Sequence, residues 1–245
     1  MSRLSLRFDK INPFTETGLL IMLAGGDSAE RAMGCQHLAR VATRWPGMTS
    51  VTPGLDSVAL RYDPDETSFK QIRAQLNKVN WAEYSIAPNA AATDPIDVPI
   101  CFDDQFAPDL AHVANRLHMT IDEIIIQLTD KPLPVLNMGF APGFAYVGGL
   151  RGPLADETAL FRRSVPRTAV PAGSLALAAG FAGLYSCSTP GGWHVVGRSP
   201  IPLFNAHSST PFVLKPGNEI SLRTIDAQIF QQHKERTEKE EHSAR

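Results

Sequence analysis

The chain has 245 residues and a mass of 26.7 kDa, room for one large domain or two small ones at roughly 100–200 residues each. Hydrophobic residues make up 43%, and with the 18 Gly they fill about half the chain, so a sizeable core is available and wholesale disorder is excluded. A net charge of −2 and a pI near 6.4 argue against a phosphate-backbone binder, no apolar run reaches the ~18 residues of a membrane span, and no secretory signal is read, so the expectation is a cytoplasmic protein with small-molecule or protein partners.

Leu4–Phe8 alternates apolar and polar side chains and Gly18–Leu23 is a short apolar run, both strand signatures. Asp27 stands three residues before Glu30, a capping-box pattern. Ala32, Cys35, Leu38, Ala39 and Ala42 then recur at helical spacing, predicting a helix over Ser28–Trp45 stopped by Pro46-Gly47. Thr49–Thr52, the turn Pro53-Gly54 and Ser57–Tyr62 read as strand, turn and strand. Asp63 and Pro64 open a second helix, Asp65–Asn80, with Phe69, Ile72, Leu76 and Val79 on one face, and Trp81–Ala87 reads as a closing strand. This order fits an α+β domain over residues 1–90 with helices on one face of an antiparallel sheet. Pro88–Pro95 (PNAAATDP) has the composition of a linker.

Beyond it, Ile96–Phe102 is a strand candidate, and Pro108–Leu117 and Thr120–Thr129 are helical, the latter with Ile121, Ile124, Ile125 and Leu128 as its apolar positions. Residues 131–217 hold 12 Gly and 11 Pro, against 14 of the two together in the other 158 residues; such punctuation belongs to many short strands joined by tight turns. A β-rich domain is expected over residues 91–228. The remainder, 229–245, is charged with no apolar face and reads as a solvated or frayed tail.

Three stretches carry candidate chemistry. Gly139–Leu150 (GFAPGFAYVGGL) either folds its N–H groups into an anion-holding nest or forms tight turns with Phe140, Phe144 and Tyr146 as core; it is not a phosphate loop, since no GxxxxGK[ST] occurs in the chain. Arg162, Arg163 and Arg167 either clamp a carboxylate or phosphate, or form surface ion pairs. In Thr189–Ser199 (TPGGWHVVGRS), His194 is either a general base or a hydrogen-bonded structural histidine with no visible acid partner. Nucleophile motifs are missing. Asp103-Asp104 and Asp122-Glu123 are adjacent carboxylates that diverge in regular structure. His112 and His118 are not at helical ligand spacing. Cys35, Cys101 and Cys187 lie too far apart for a zinc pattern, so no metal is expected.

Taken together, Pro53-Gly54, Pro108-Asp109-Leu110, GFAPGFAYVGGL, Arg162-Arg163, Pro166-Arg167, Val170–Ser174 and Ser188–Trp193 through Gly197-Arg198-Ser199 resemble the family of 5-oxoprolinase B-type subunits, also described as allophanate hydrolase subunit 1 or kinase-A-inhibitor-like (KipI-like). The resemblance implies a ferredoxin-like N-terminal domain and a cyclophilin-like β-barrel C-terminal domain. It implies pairing with a homologous C-type subunit and a third, LamB/YcsF-like subunit, in an assembly that opens the 5-oxoproline lactam to glutamate at the expense of ATP. Some members of the family instead inhibit a histidine kinase. On this resemblance Arg163 and Arg167 bind a carboxylate or phosphoryl oxygen. Phe140, Pro142, Gly143, Phe144, Gly191, Gly192 and Trp193 shape the pocket, and Ser174 and Arg198 complete the substrate-binding set. His194 is the one candidate for a catalytic base and is not assigned as one. The sequence departs from the family's pattern at Phe102-Asp103-Asp104 (Tyr-Gly-Gly), Leu128 (His), Phe161 (Pro), Phe181-Ala182 (Gln-Thr) and Ser186 (Pro). The changes at 102, 128, 181 and 182 replace hydrogen-bonding groups by apolar ones, which would leave a polar substrate short of partners.

Overall fold

Two units, Met1–Ala87 and Pro88–Arg245, make up the chain; a computed structural model describes residues 6–81 and 94–243, with side chains up to residue 236. In the first unit β1 (Arg7–Thr15), β2 (Gly18–Ala24), α1 (Ser28–Ala42), β3 (Met48–Pro53), β4 (Ser57–Tyr62) and α2 (Phe69–Leu76) follow one another, and the strands form an antiparallel sheet in the order β1-β2-β4-β3. Alternation along β2 and β4 turns Leu19, Ile21, Leu23, Val58, Leu60 and Tyr62 to one face. There they share one core with Cys35, Leu38, Ala39 and Ala42 of α1 and Ile72 and Leu76 of α2.

The expected capping box starts α1: Asp27 accepts from the Glu30 N–H and Glu30 accepts from the Asp27 N–H, each at 2.8 Å. The second helix starts later than its predicted Asp65. The carbonyl of Asp63 accepts from the N–H groups of Glu66 and Thr67 in a turn of its own, and Ser68 then caps α2 in a box with Gln71. Phe69 is consequently exposed rather than core. β1 also lies further along than Leu4–Phe8, because pairing with β2 sets it and its outward residues need no alternation. The closing strand Trp81–Ala87 falls mostly on residues 82–93, outside the described residues. What the described residues establish here is a four-stranded sheet with two helices on one face.

The second unit runs β5 (Ile96–Cys101), α3 (Leu110–Leu117), α4 (Ile121–Thr129), β6 (Leu133–Met138), β7 (Ala145–Val147), β8 (Arg167–Val170), β9 (Ser174–Ala178), β10 (Phe181–Leu184), β11 (Thr189–Gly191), β12 (His194–Arg198), β13 (Glu219–Ile225) and α5 (Ala227–Ser243). Seven strands close into a barrel in the order β10-β7-β6-β13-β5-β12-β9, while β8 and β11 pair beside it. Among the described strands β5 and β13 alone run parallel. Inward residues such as Val98, Val135, Val147, Leu175, Leu184, Val196 and Leu222 join Val113 and Leu117 of α3 and Ile124 and Leu128 of α4 in a single core, so the two helices are packed onto the barrel. The stretch read as a solvated tail is helical instead. Its first turn is docked, with Phe230 buried, its ring 4.1 Å from that of Phe106 and the Arg198 guanidinium 5.9 Å from it.

Candidate functional site

Asp109 organises the site. It stands at the N-cap position of α3 but makes no side-chain cap. β5 pairs with β12 only at Cys101 and Arg198, which leaves the first half of β12 open on that side, and Asp109 fills the gap. Its N–H donates to the Val195 carbonyl at 2.9 Å, and its Oδ2 accepts from the Val195 N–H at 2.7 Å. The same carboxylate receives Arg167 through Nη1 and Nη2 at 2.7 and 2.9 Å, and Arg163 through Nη1 at 3.0 Å. Burial alone would push the Asp109 carboxyl up. The hydrogen bonds from Arg167 and Val195 and the two guanidinium charges hold it below the usual carboxylate range.

This corrects the expected role of Arg167. Its two Nη groups are engaged by a carboxylate of the chain itself, in the bidentate geometry that an arginine would use on a ligand. Arg163 is engaged at one nitrogen only, and its Nε is buried without a partner.

His194 sits beside this cluster at the start of β12, only 5% exposed. Its Nε2 lies 2.9 Å from the Phe161 carbonyl; because a carbonyl only accepts, Nε2 carries the proton and Nδ1 of the neutral ring is a bare acceptor. That Nδ1 is buried and unpartnered. Burial pushes the imidazole below its ordinary range, partly opposed by the Phe161 hydrogen bond and the Asp109 charge, so the ring is neutral at pH 7. His112 stacks on it with ring centroids 5.3 Å apart and planes 21° from parallel. His112 and Arg116 stand four apart on α3 and share a helical face. They enclose, with Phe161, Arg162, Arg163 and His194 among others, a cavity of about 410 Å³ whose lining includes no carboxylate. Such a lining favours a small anion.

The glycine-rich turns occupy a different place from the one expected. In the Gly139–Phe144 turn the N–H groups of Gly139, Ala141 and Phe144 donate to carbonyls within the turn. Gly143 takes φ +79°, and a side chain there would stand 2.7 Å from Phe204 and 3.0 Å from Ser186. Pro142 contributes its carbonyl to the Ser186 hydroxyl, and Phe140 is exposed at φ +66°. Phe144 packs edge-on against Tyr185 (4.9 Å) and Trp193 (6.0 Å), and Tyr146 against Trp193 (5.8 Å), as an aromatic layer over Gly183. Arg162 links the layer to the cavity, with its guanidinium 5.9 Å from the Trp193 ring.

Gly191 lies opposite Arg167 in the β8–β11 ladder, and the Gly192 carbonyl accepts from the Arg163 N–H at 2.7 Å. The structure therefore brings Arg163, Arg167, Gly191, Gly192, Trp193 and His194 together, and Phe140 and Phe144 adjoin them through the aromatic layer. Ser174 and Arg198 are not brought in. They face each other at the far end of the β9–β12 ladder, four residues or about 13 Å along the strand from His194. Arg198 donates to the Ala172 carbonyl at 2.9 Å.

Three residues of the site carry no assigned role in the sequence. Asp109 is visible there only as the middle of Pro108-Asp109-Leu110, His112 only as half of a pair not at ligand spacing, and Arg116 only as a polar position of a predicted helix. The departures from the family pattern also find their place. Phe102, Leu128 and Ala182 all belong to the apolar core of the barrel, so the positions expected to be polar are packed shut. Two of the thiols, Cys35 and Cys101, are buried, and burial pushes Cys35 up to about 12.

Residues 9–214 match the family model of the carboxyltransferase domain, subdomain C and D. The 5-oxoprolinase B-type subunit of Bacillus subtilis (strain 168) is 28% identical, covering 86% of this chain and 91% of its own. That of Haemophilus influenzae (strain ATCC 51907 / DSM 11121 / KW20 / Rd) is 29% identical over 86% of this chain and 96% of its own. Among solved structures the K. lactis urea amidolyase superposes with a TM-score of 0.71 over 95% of this chain and 16% of that longer one, at 15% identity, a likeness of fold alone.

Proposed function

We propose, for a chain that belongs to the carboxyltransferase domain, subdomain C and D family, a role like that of the 5-oxoprolinase B-type subunits, as one component of an ATP-dependent amidohydrolase complex. It acts with a homologous C-type subunit and a third, LamB/YcsF-like subunit in the cytoplasm. The carrying observation is the cavity of about 410 Å³ lined by Arg116, Arg162, Arg163, His112 and His194. Its cationic lining suits the carboxylate of 5-oxoproline, and its volume lies within the range of small-molecule sites. Asp109 positions Arg163 from behind, and Arg167 keeps Asp109 ionised.

ATP enters this reading from the family, and no step is routed through it. The test is co-expression with the C-type and LamB/YcsF-like subunits, followed by an ATP-coupled glutamate-release assay. Glutamate release that depends on this chain is the expected result. A stable complex without turnover, under conditions where a typical member works, rejects the enzyme role.

A second reading, a non-catalytic regulator of the histidine-kinase-inhibitor type, has one specific observation in its favour: Phe102, Leu128 and Ala182 close the barrel interior with apolar packing. Capture of a kinase partner together with absence of turnover would support it.

A further inference from the structure

The two histidines of the cavity differ in what they can do with a proton. His194 is buried, and its Nε2–H is committed to the Phe161 carbonyl at 2.9 Å. His112 is exposed, its ring stacked on that of His194 with centroids 5.3 Å apart. The other charged groups that share the cavity with His112 are cationic: Arg116 one turn along α3, and Arg162 and Arg163 from the Phe161–Val165 segment. The carboxylate behind them is that of Asp109, at the start of the same helix, and Arg163 and Arg167 already bind it. Guanidinium groups hold their charge at any pH at which the protein is folded, so a charge that changes near neutrality belongs to an imidazole. Burial keeps His194 neutral there, which leaves His112 as the group in contact with both solvent and cavity.

We propose that the cavity is a proton-coupled receptor for a small oxyanion, in which His112 takes up a proton from solvent as the anion enters and returns it as the anion leaves. An anion seated among Arg116, Arg162 and Arg163 faces His112 as well, so a proton on that ring adds one more attraction. By linkage the anion favours the proton by the same factor as the proton favours the anion. The stack has a second effect: neutral His194, fixed by the Phe161 carbonyl, holds the His112 ring at the cavity wall without competing for the proton. The coupling concerns the charge of the ligand, and it stands whether or not the 5-oxoproline reading holds.

Calorimetry of the full chain with sulfate, whose charge is constant between pH 6 and 8, tests it without turnover. Sulfate should bind at least about fivefold more tightly at pH 6 than at pH 8, with proton uptake seen as a dependence of the heat on the ionisation heat of the buffer. His112→Gln, at an exposed position, should bind at pH 6 as weakly as the unaltered chain does at pH 8. His207→Gln, exposed and outside the cavity lining, should keep the full pH dependence, which separates the effect from the charge of the molecule as a whole. In a histidine NMR titration the His112 midpoint should move to higher pH on adding sulfate, and that of His207 should stay put. Equal affinity at the two pH values, a pH dependence that survives in His112→Gln, or no binding of millimolar sulfate at pH 6 overturns the proposal. Proton-coupled sulfate binding without glutamate release by the assembled complex would keep the receptor and reject the activity; release with pH-independent sulfate binding would reject the coupling alone.

Discussion

Asp109 illustrates how one side chain can be both structural and functional. Its carboxylate joins α3, the open edge of β12 and two arginines drawn from 54 and 58 residues away. Asp109→Asn should cost about 3 kcal/mol in a urea melt, at the low end for a broken buried pair because Arg163 and Arg167 keep partial contact with water. Arg167→Ala is expected to lower stability as well, unlike a surface arginine. The pH dependence follows from two depressed groups. The contribution of neutral His194 is complete above its unfolded value near 6.5 and is lost as pH falls toward its lower folded value. That of Asp109 is complete above about 3.9 and is lost as pH falls through its lower folded value. Thermal melts should therefore show a first decline as pH falls below about 7, weaker in His194→Gln, and a second below about pH 4, weaker in Asp109→Asn. None of this is legible in the sequence. A carboxylate reveals its partners in sequence only when they are helical or strand neighbours, and these are joined by barrel closure.

At the scale of elements, local chemistry is legible in the sequence and tertiary override is not. The Asp27–Glu30 box and the alternation of β4 are local signals, and the fold contains both. The start of α2 is harder to read because Asp63 and Pro64 resemble a helix start, while the effective cap is Ser68, whose box with Gln71 lies further along. The charged C-terminal stretch hides an anchoring residue. Phe230 lies in the first turn of α5, against Phe106 and Arg198, and a single aromatic among charges gives no periodicity. Phe230→Ala should cost about 3–4 kcal/mol and raise amide exchange along α5; no change in either would return the segment to the status of a solvated tail. Gly183 makes the complementary case. A side chain there would meet Phe144 at 2.7 Å and Trp193 at 2.9 Å, so Gly183→Ala should destabilise by about 1–3 kcal/mol through overpacking of the aromatic layer.

For the molecule as a whole, two separate cores argue for two folding units. The cores of the first and second units share no residue, and the cavity and its supports all lie in the second. Residues 94–245 expressed alone should give a cooperative melt, and a non-cooperative one would show that the second core depends on the first unit. The glycine and proline density of residues 131–217 announces the β-rich unit. It does not announce where the ligand goes, because the GFAPGF and GGW turns, the most conspicuous motifs, build an aromatic layer, and the cavity is made by α3 and the Phe161–Val165 segment. The most direct test of this placement is a crystal structure of the chain with L-5-oxoproline. The ligand is expected in the cavity lined by Arg116, Arg162, Arg163 and His194; a ligand seated on the Phe140–Trp193 aromatic layer, or inside the barrel beside Phe102 and Leu128, would contradict this.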